Sequence, residues 1–146
     1  MLVGTLGSEI YEINSNQEIN NATSDGEFKL MGNYMNGHYA PNYVTNEVWG
    51  LAIYDERYYV TCSDDATIRL WDMKKKEQVE SVSLNFDSNL KAKKLDPKAK
   101  FLPDSMKGRC IAVSANKDLV IGCKDGTVKI IDHHMKYKYS KALSKK

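Results

Sequence analysis

Short apolar, β-branched runs alternate with polar turn residues, most clearly from Glu47 to Asp72, EVWGLAIYDERYYVTCSDDATIRLWD. The pattern predicts three short strands joined by two tight turns. Val48, Leu51, Ile53, Tyr59, Val60, Ile68, Leu70 and Trp71 suit a pleated, half-buried surface. Ser63-Asp64-Asp65-Ala66 supplies one turn, because Asp side chains hydrogen-bond to nearby backbone. The pattern then recurs. Sliding the chain along itself until Leu51-Ala52-Ile53 falls on Ile111-Ala112-Val113 also lays Asp65 to Leu70 on Asp125 to Ile130, without a gap. A second slide lays Leu2 to Thr5 on Val60 to Ser63, and Ile10 on Ile68. Residues 1–13 are therefore expected to form two strands of an earlier unit that lacks its first strand.

Gly37-His38 precedes the central stretch and Trp71-Asp72 closes it. That bracket resembles a WD repeat, one four-stranded blade of a β-propeller. The resemblance implies an all-β chain: antiparallel four-stranded blades of an incomplete propeller. It implies strands b to d of a first blade over 1–34, a middle blade over 47–84, a basic loop over 85–107 and a last blade over 108–143. It also implies a hydrogen-bonded set of His38, Thr61, Asp65 and Trp71. The chemistry suits those residue types, since a buried polar group left unpaired costs about 1–3 kcal/mol. Asp65 can accept from turn amides and the His38 ring, and Thr61 can bridge that ring to the Trp71 indole N–H.

The first blade has Gly7 where the turn Asp would stand, and glycine suits a tight turn. Its fourth strand is expected over Glu27–Tyr34, after a long polar loop from Asn14 to Asp25, with a further loop over Asn36–Asn46. In the middle blade Lys74-Lys75-Lys76 forms the c–d turn and Gln78–Leu84 the outer strand. The last blade keeps Asp125 but has Ile121 for the Thr, Ile131 for the Trp and no Gly-His ahead of it. Apolar packing is expected to replace its polar set.

Composition adds a charge asymmetry. Residues 1–72 hold 3 Lys/Arg against 11 Asp/Glu, a balance of −8, and residues 73–146 hold 18 against 8, or +10. An acidic partner for the second half, or packing of one half against another, would use that contrast. Cys62, Cys110 and Cys123 have no CxxC spacing and read as free thiols in a reducing compartment. No apolar run is long enough to span a bilayer as a helix, no signal peptide is recognisable, and no membrane association is expected. His133-His134 lacks further ligands at metal-binding spacing, so neither metal nor cofactor is expected.

The wider match is to a particular group of propellers. Val3-Gly4-Thr5, Ser8-Glu9-Ile10, Glu47 to Ala52, Trp71-Asp72 and Gly108 to Ser114 resemble the echinoderm microtubule-associated protein-like family. That resemblance implies a non-catalytic cytoplasmic scaffold on the cytoskeleton, with tubulin or microtubules as protein partners. It also implies that further blades, or other chains, complete the ring. Asp64 in the b–c turn, Lys91, Lys93, Lys94, Lys98 and Lys100 in the basic loop, and Lys124 are candidate partner-binding residues, since tubulin presents acidic tails. The alternative is a basic nucleic-acid-binding module or a general adaptor WD-repeat module unrelated to microtubules, and an enzyme is a third class. Nucleic-acid binding would use the same lysines, but Arg57, Arg69 and Arg109 are scattered, with no base-reading cluster. An enzyme would need a Gly-rich phosphate loop, an HExxH or a nucleophile–His–acid arrangement, and none is present.

Overall fold

The computed structural model describes residues 1–13, 32–38, 46–86, 89, 91 and 101–143. Three antiparallel sheets follow one another along the chain. The first joins β1 (Leu2–Gly4), β2 (Glu9–Ile13) and β3 (Gly32–Gly37) in that order. The second runs β4 (Val48–Ile53), β5 (Tyr58–Ser63), β6 (Thr67–Asp72) and β7 (Glu77–Ser83). The third runs β8 (Gly108–Val113), β9 (Leu119–Cys123), β10 (Thr127–Ile131) and β11 (Tyr137–Ala142). In the first sheet β1 stands at the edge, where the middle blade has β4. These are the antiparallel sheets of propeller blades.

The internal repeat is structural as well as sequential. Gly4 pairs with Ile10 as Cys62 pairs with Ile68, so the strand register reproduces the sequence match of the first unit to the second. A β-bulge between Val48 and Gly50 recurs between Gly108 and Cys110, at the matching place of the next unit. The bulged strands carry the blade contacts, with β4 packed against β8 and β1 against β4. Gly50 permits that approach, since a Cβ there would lie 2.5 Å from Cys62 Sγ and 3.0 Å from the Ile111 amide nitrogen.

Apolar side chains fill the two seams. Ile10 of the first blade meets Val48, Tyr59 and Trp71 of the middle one. Val60, Cys62 and Ile68 of the middle blade join Leu119, Ile121, Cys123 and Ile131 of the last. Each b–c turn places one residue at positive φ, at Ser8 (79°), Ala66 (63°) and Gly126 (82°).

Three expectations are corrected. In the first turn the left-handed residue is Ser8, one position after Gly7, so Gly7 does not supply the backbone freedom the turn uses. The first blade's outer strand extends to Gly37, which pairs with Glu9, and takes Asn36 and Gly37 out of the expected loop; the start of the expected strand, 27–31, lies outside the described residues. The basic stretch 85–107 is not loop throughout. Phe86 is buried, Asp104–Met106 forms a 3-10 turn, and Leu102 and Met106 pack on Ala66 of the middle blade's b–c turn.

Candidate functional site

His38 follows directly on β3, and its backbone N–H donates to Ser8 O at 2.9 Å. That bond fixes the ring over the middle blade's b–c turn, where it is wholly buried. His38 Nδ1 lies 3.0 Å from Asp65 Oδ2, and Nε2 lies 2.7 Å from Thr61 Oγ1. Trp71 Nε1 donates to Thr61 Oγ1 at 2.7 Å. One proton arrangement satisfies every group. The indole donates to Thr61, the Thr61 hydroxyl donates to Nε2, and Nδ1–H donates to the carboxylate. The imidazole is neutral in this scheme, in keeping with a pKa held below its ordinary 6.5. Burial is the main cause and Arg69 adds to it, against the opposing pull of Asp65.

Asp65 gathers several donors. Burial alone would raise its pKa, but the His38, Thr67 and turn-amide bonds outweigh it and hold the carboxyl below 3.8. Its Oδ1 accepts from the Thr67 amide at 2.8 Å and the Thr67 hydroxyl at 2.7 Å. Arg69 NH2 donates to Oδ2 at 2.9 Å, while NH1 reaches Gly37 O at 3.2 Å. Arg69 thus ties β6 back to the end of β3. Tyr59 stacks on Trp71 with ring centroids 6.1 Å apart.

In the last blade the same places are filled differently. Leu84 N donates to Ala66 O at 2.7 Å, as His38 N does to Ser8 O, so Leu84 stands where His38 stands one blade earlier. It is fully buried and clusters with Ile121 and Ile131. Lys129, at the place of Arg69, is 1% exposed. Its ammonium donates to Leu84 O and, at 3.0 Å, to Phe86 O, and lies 4.5 Å from the Phe86 ring centroid. Neither Leu84 nor Lys129 is visible as a motif. Only aligning the carbonyls that Ser8 and Ala66 present would have found the first, and the Arg69–Lys129 correspondence the second.

The candidate partner-binding residues fall into separate places. Asp64 is 4% exposed, and Arg109 NH2 donates to its Oδ2 at 3.0 Å. Burial raises the Asp64 pKa and Glu47 adds to the rise, while Arg109 opposes it. The Arg109 guanidinium lies 4.2 Å from the ring centroid of Trp49, which is 47% exposed. Asp64 Oδ1, Glu47 Oε2 and Arg109 NH1 have no hydrogen-bond partner among the described residues. Lys124 lies 3.4 Å from Asp104 Oδ1, which Lys107 also approaches at 3.1 Å. Lys91 is exposed. Lys93, Lys94, Lys98 and Lys100 lie outside the described residues.

Chemistry-bearing groups elsewhere are few. Burial pushes the Cys62 thiol far up and the Cys123 thiol up to about 11, which makes both poor nucleophiles. Among the described residues no three His, Cys, Asp or Glu side chains are placed to hold a metal ion, and no helix is long and apolar enough to cross a membrane.

The geometry of a His, a Thr, a turn Asp and a Trp in one blade agrees with the comparison to known proteins. Residues 29–72 and 107–132 match the family described as WD domain, G-beta repeat. Both segments are similar to WD repeats. The chain is also 36% identical over 87 residues to the ciliary WD repeat-containing protein ctxp80 of Euplotoides octocarinatus. That match takes in 58% of this chain but only 12% of the relative, so the chain spans a small part of its length. WD repeats are protein-interaction scaffolds and are generally non-catalytic. The middle blade carries its polar set complete, and the last replaces it with Leu84, Ile121 and Ile131.

Proposed function

We propose that this chain is a non-catalytic interaction scaffold within a microtubule-associated WD-repeat propeller, in the cytoplasm and on the cytoskeleton. The observation that carries the reading is the excess of basic over acidic residues after position 72, balanced at +10. A second support is the exposed Trp49 ring with the partly buried Arg109 guanidinium 4.2 Å from its centroid, residue types that anchor protein interfaces. The resemblance to the echinoderm microtubule-associated protein-like family supplies the partner class, and the ciliary relative's name is compatible with it. Lys91, Lys93, Lys94, Lys98, Lys100 and Lys124 would meet acidic tubulin tails through exposed charge pairs, each weak and screened by salt. Asp64 would act through Arg109, holding the guanidinium against Trp49.

Co-sedimentation with microtubules at low and high salt tests this. Binding that weakens with salt, and falls when the lysines of 91–100 are changed to Glu, supports it. Failure to pellet with microtubules at low salt removes tubulin as the partner. Retention of RNA or DNA on a filter with the same lysine dependence would favour a nucleic-acid-binding module instead.

A further inference from the structure

A groove of about 550 Å³ runs between the outer strand of the middle blade and the start of β11 in the last. One wall is β7 from Glu80 to Ser83, and the other is Met135 to Tyr137. β7 is the end strand of its sheet, and its register fixes which backbone groups stay unused. Leu84 N donates to Ala66 O, and Ser83 stands opposite Thr67, so hydrogen-bonded pairs alternate from there. Val82 and Glu80 share bonds with Ile68 and Leu70, whereas Ser81 and Ser83 turn their N–H and C=O to the free edge. Sheet edges are commonly guarded by charge or proline, as Lys138 and Lys141 guard β11, but Ser81 to Ser83 carries neither.

The opposite wall is already in place. Asp132 Oδ1 accepts from the His134 and Lys136 amides at 2.9 Å, which sets the turn before β11. Val82, Met135 and Tyr137 are partly covered apolar side chains packed on the core, and Phe86 backs Tyr137 with ring centroids 3.9 Å apart. Glu80 and Lys136 line the groove as exposed charges, and neither has an ion-pair partner among the described residues. A fixed wall facing an unguarded strand edge suits strand addition, in which main-chain bonds give affinity and alternate side chains give specificity. We propose that this groove takes an extended segment of a partner protein as a further strand on β7. The segment's backbone pairs with Ser81 and Ser83, and every second side chain, apolar, rests on Val82, Met135 and Tyr137. An acidic residue meets Lys136 and a basic one meets Glu80, which sets the direction of the segment. The site uses none of the residues assigned to the microtubule contact, and both walls belong to neighbouring blades of this chain.

Fluorescence anisotropy of the full chain with a labelled, capped octapeptide tests the proposal. The probe alternates valine and threonine, with a glutamate near one end and a lysine near the other. Wild type is expected to bind it and, in hydrogen exchange followed by NMR, to slow the amides of Ser81 and Ser83. Ser81→Pro removes an edge donor that β6 does not use, so it should keep the wild-type melting curve and weaken binding by about tenfold or more. A fully N-methylated probe, which has no backbone donors, should not bind, and this arm needs no change in the protein. Lys136→Glu should weaken binding about two- to fivefold, the scale of an exposed charge pair, and a probe with lysine in place of its glutamate should restore it. No binding of the first probe to wild type at millimolar concentration overturns the proposal. So does binding that Ser81→Pro and N-methylation both leave unchanged, or protection that falls on β11 and not on β7.

Discussion

His38 and Leu84 occupy one position in successive blades, each donating its amide to the positive-φ residue of the preceding b–c turn, at 2.9 and 2.7 Å. The backbone at this corner is constant while the side chain decides the chemistry of the seam it enters. A histidine there needs the Thr61 and Asp65 partners, and a leucine needs Ile121 and Ile131. Leu84→His should therefore destabilise the fold by about 1–3 kcal/mol or more, since the ring would be buried among isoleucines without a hydrogen-bond partner. Urea unfolding measures this, and a stability equal to wild type would mean the second seam is not dry.

The two turn carboxylates should behave differently. Asp65→Ala removes the partner of His38, Arg69 and Thr67 at a buried site and should cost about 3–5 kcal/mol. Asp125 is exposed and accepts from the Thr67-equivalent amide, that of Thr127, so Asp125→Ala should cost about 1 kcal/mol. Equal melting shifts would show that the network does not depend on Asp65.

Trp71→Ala should cost about 3–5 kcal/mol, the scale for truncating a buried Trp. It removes the stack on Tyr59 and the donor to Thr61 together. Trp71→Phe keeps most of the ring volume and should cost less, leaving the Thr61 hydroxyl short of one donor. Chemical denaturation of both variants separates packing from hydrogen bonding.

Acid should loosen the fold in two stages. His38 has its pKa depressed by burial, so the unfolded chain takes up a proton first, and stability present above 6.5 declines as pH falls below that value. Asp65 is depressed as well, so its contribution is present above 3.8 and declines below it. Melting temperature against pH should show both windows. His38→Gln, though less stable overall, should lose the upper one.

Gly50→Ala tests how closely β4 and β8 approach. The added methyl meets Cys62 Sγ and the Ile111 amide, and overpacking of this kind costs about 1–3 kcal/mol. Cys62→Ala in the same chain relieves the first clash but not the second. A double-mutant cycle by thermal unfolding should therefore show partial, not full, recovery.

Much of this architecture is legible in the sequence because the blades repeat without gaps. The bulges at Val48/Gly50 and Gly108/Cys110 lie inside matching runs, and the His38–Thr61–Asp65–Trp71 contacts follow from four residue types at fixed places. What escaped depends on the neighbouring blade. Asp64 reads as an exposed turn residue until Arg109, 45 positions on, is laid across it. Leu84 carries no motif, since its role comes from a backbone bond to Ala66 and from isoleucines that belong to the next blade. Gly7 draws attention as the obvious turn glycine, yet the strained φ falls on Ser8, because the turn's left-handed place is set by register and not by residue type.

The described ends of the 85–107 stretch are each held by a blade. Lys129 grips the carbonyls of Leu84 and Phe86 at its start, and Leu102 and Met106 sit on Ala66 at its end. Lys129 belongs to the last blade and the two carbonyls follow the middle one. This ammonium therefore rivets the strand end of one blade to the sheet of the next, and losing it would loosen both.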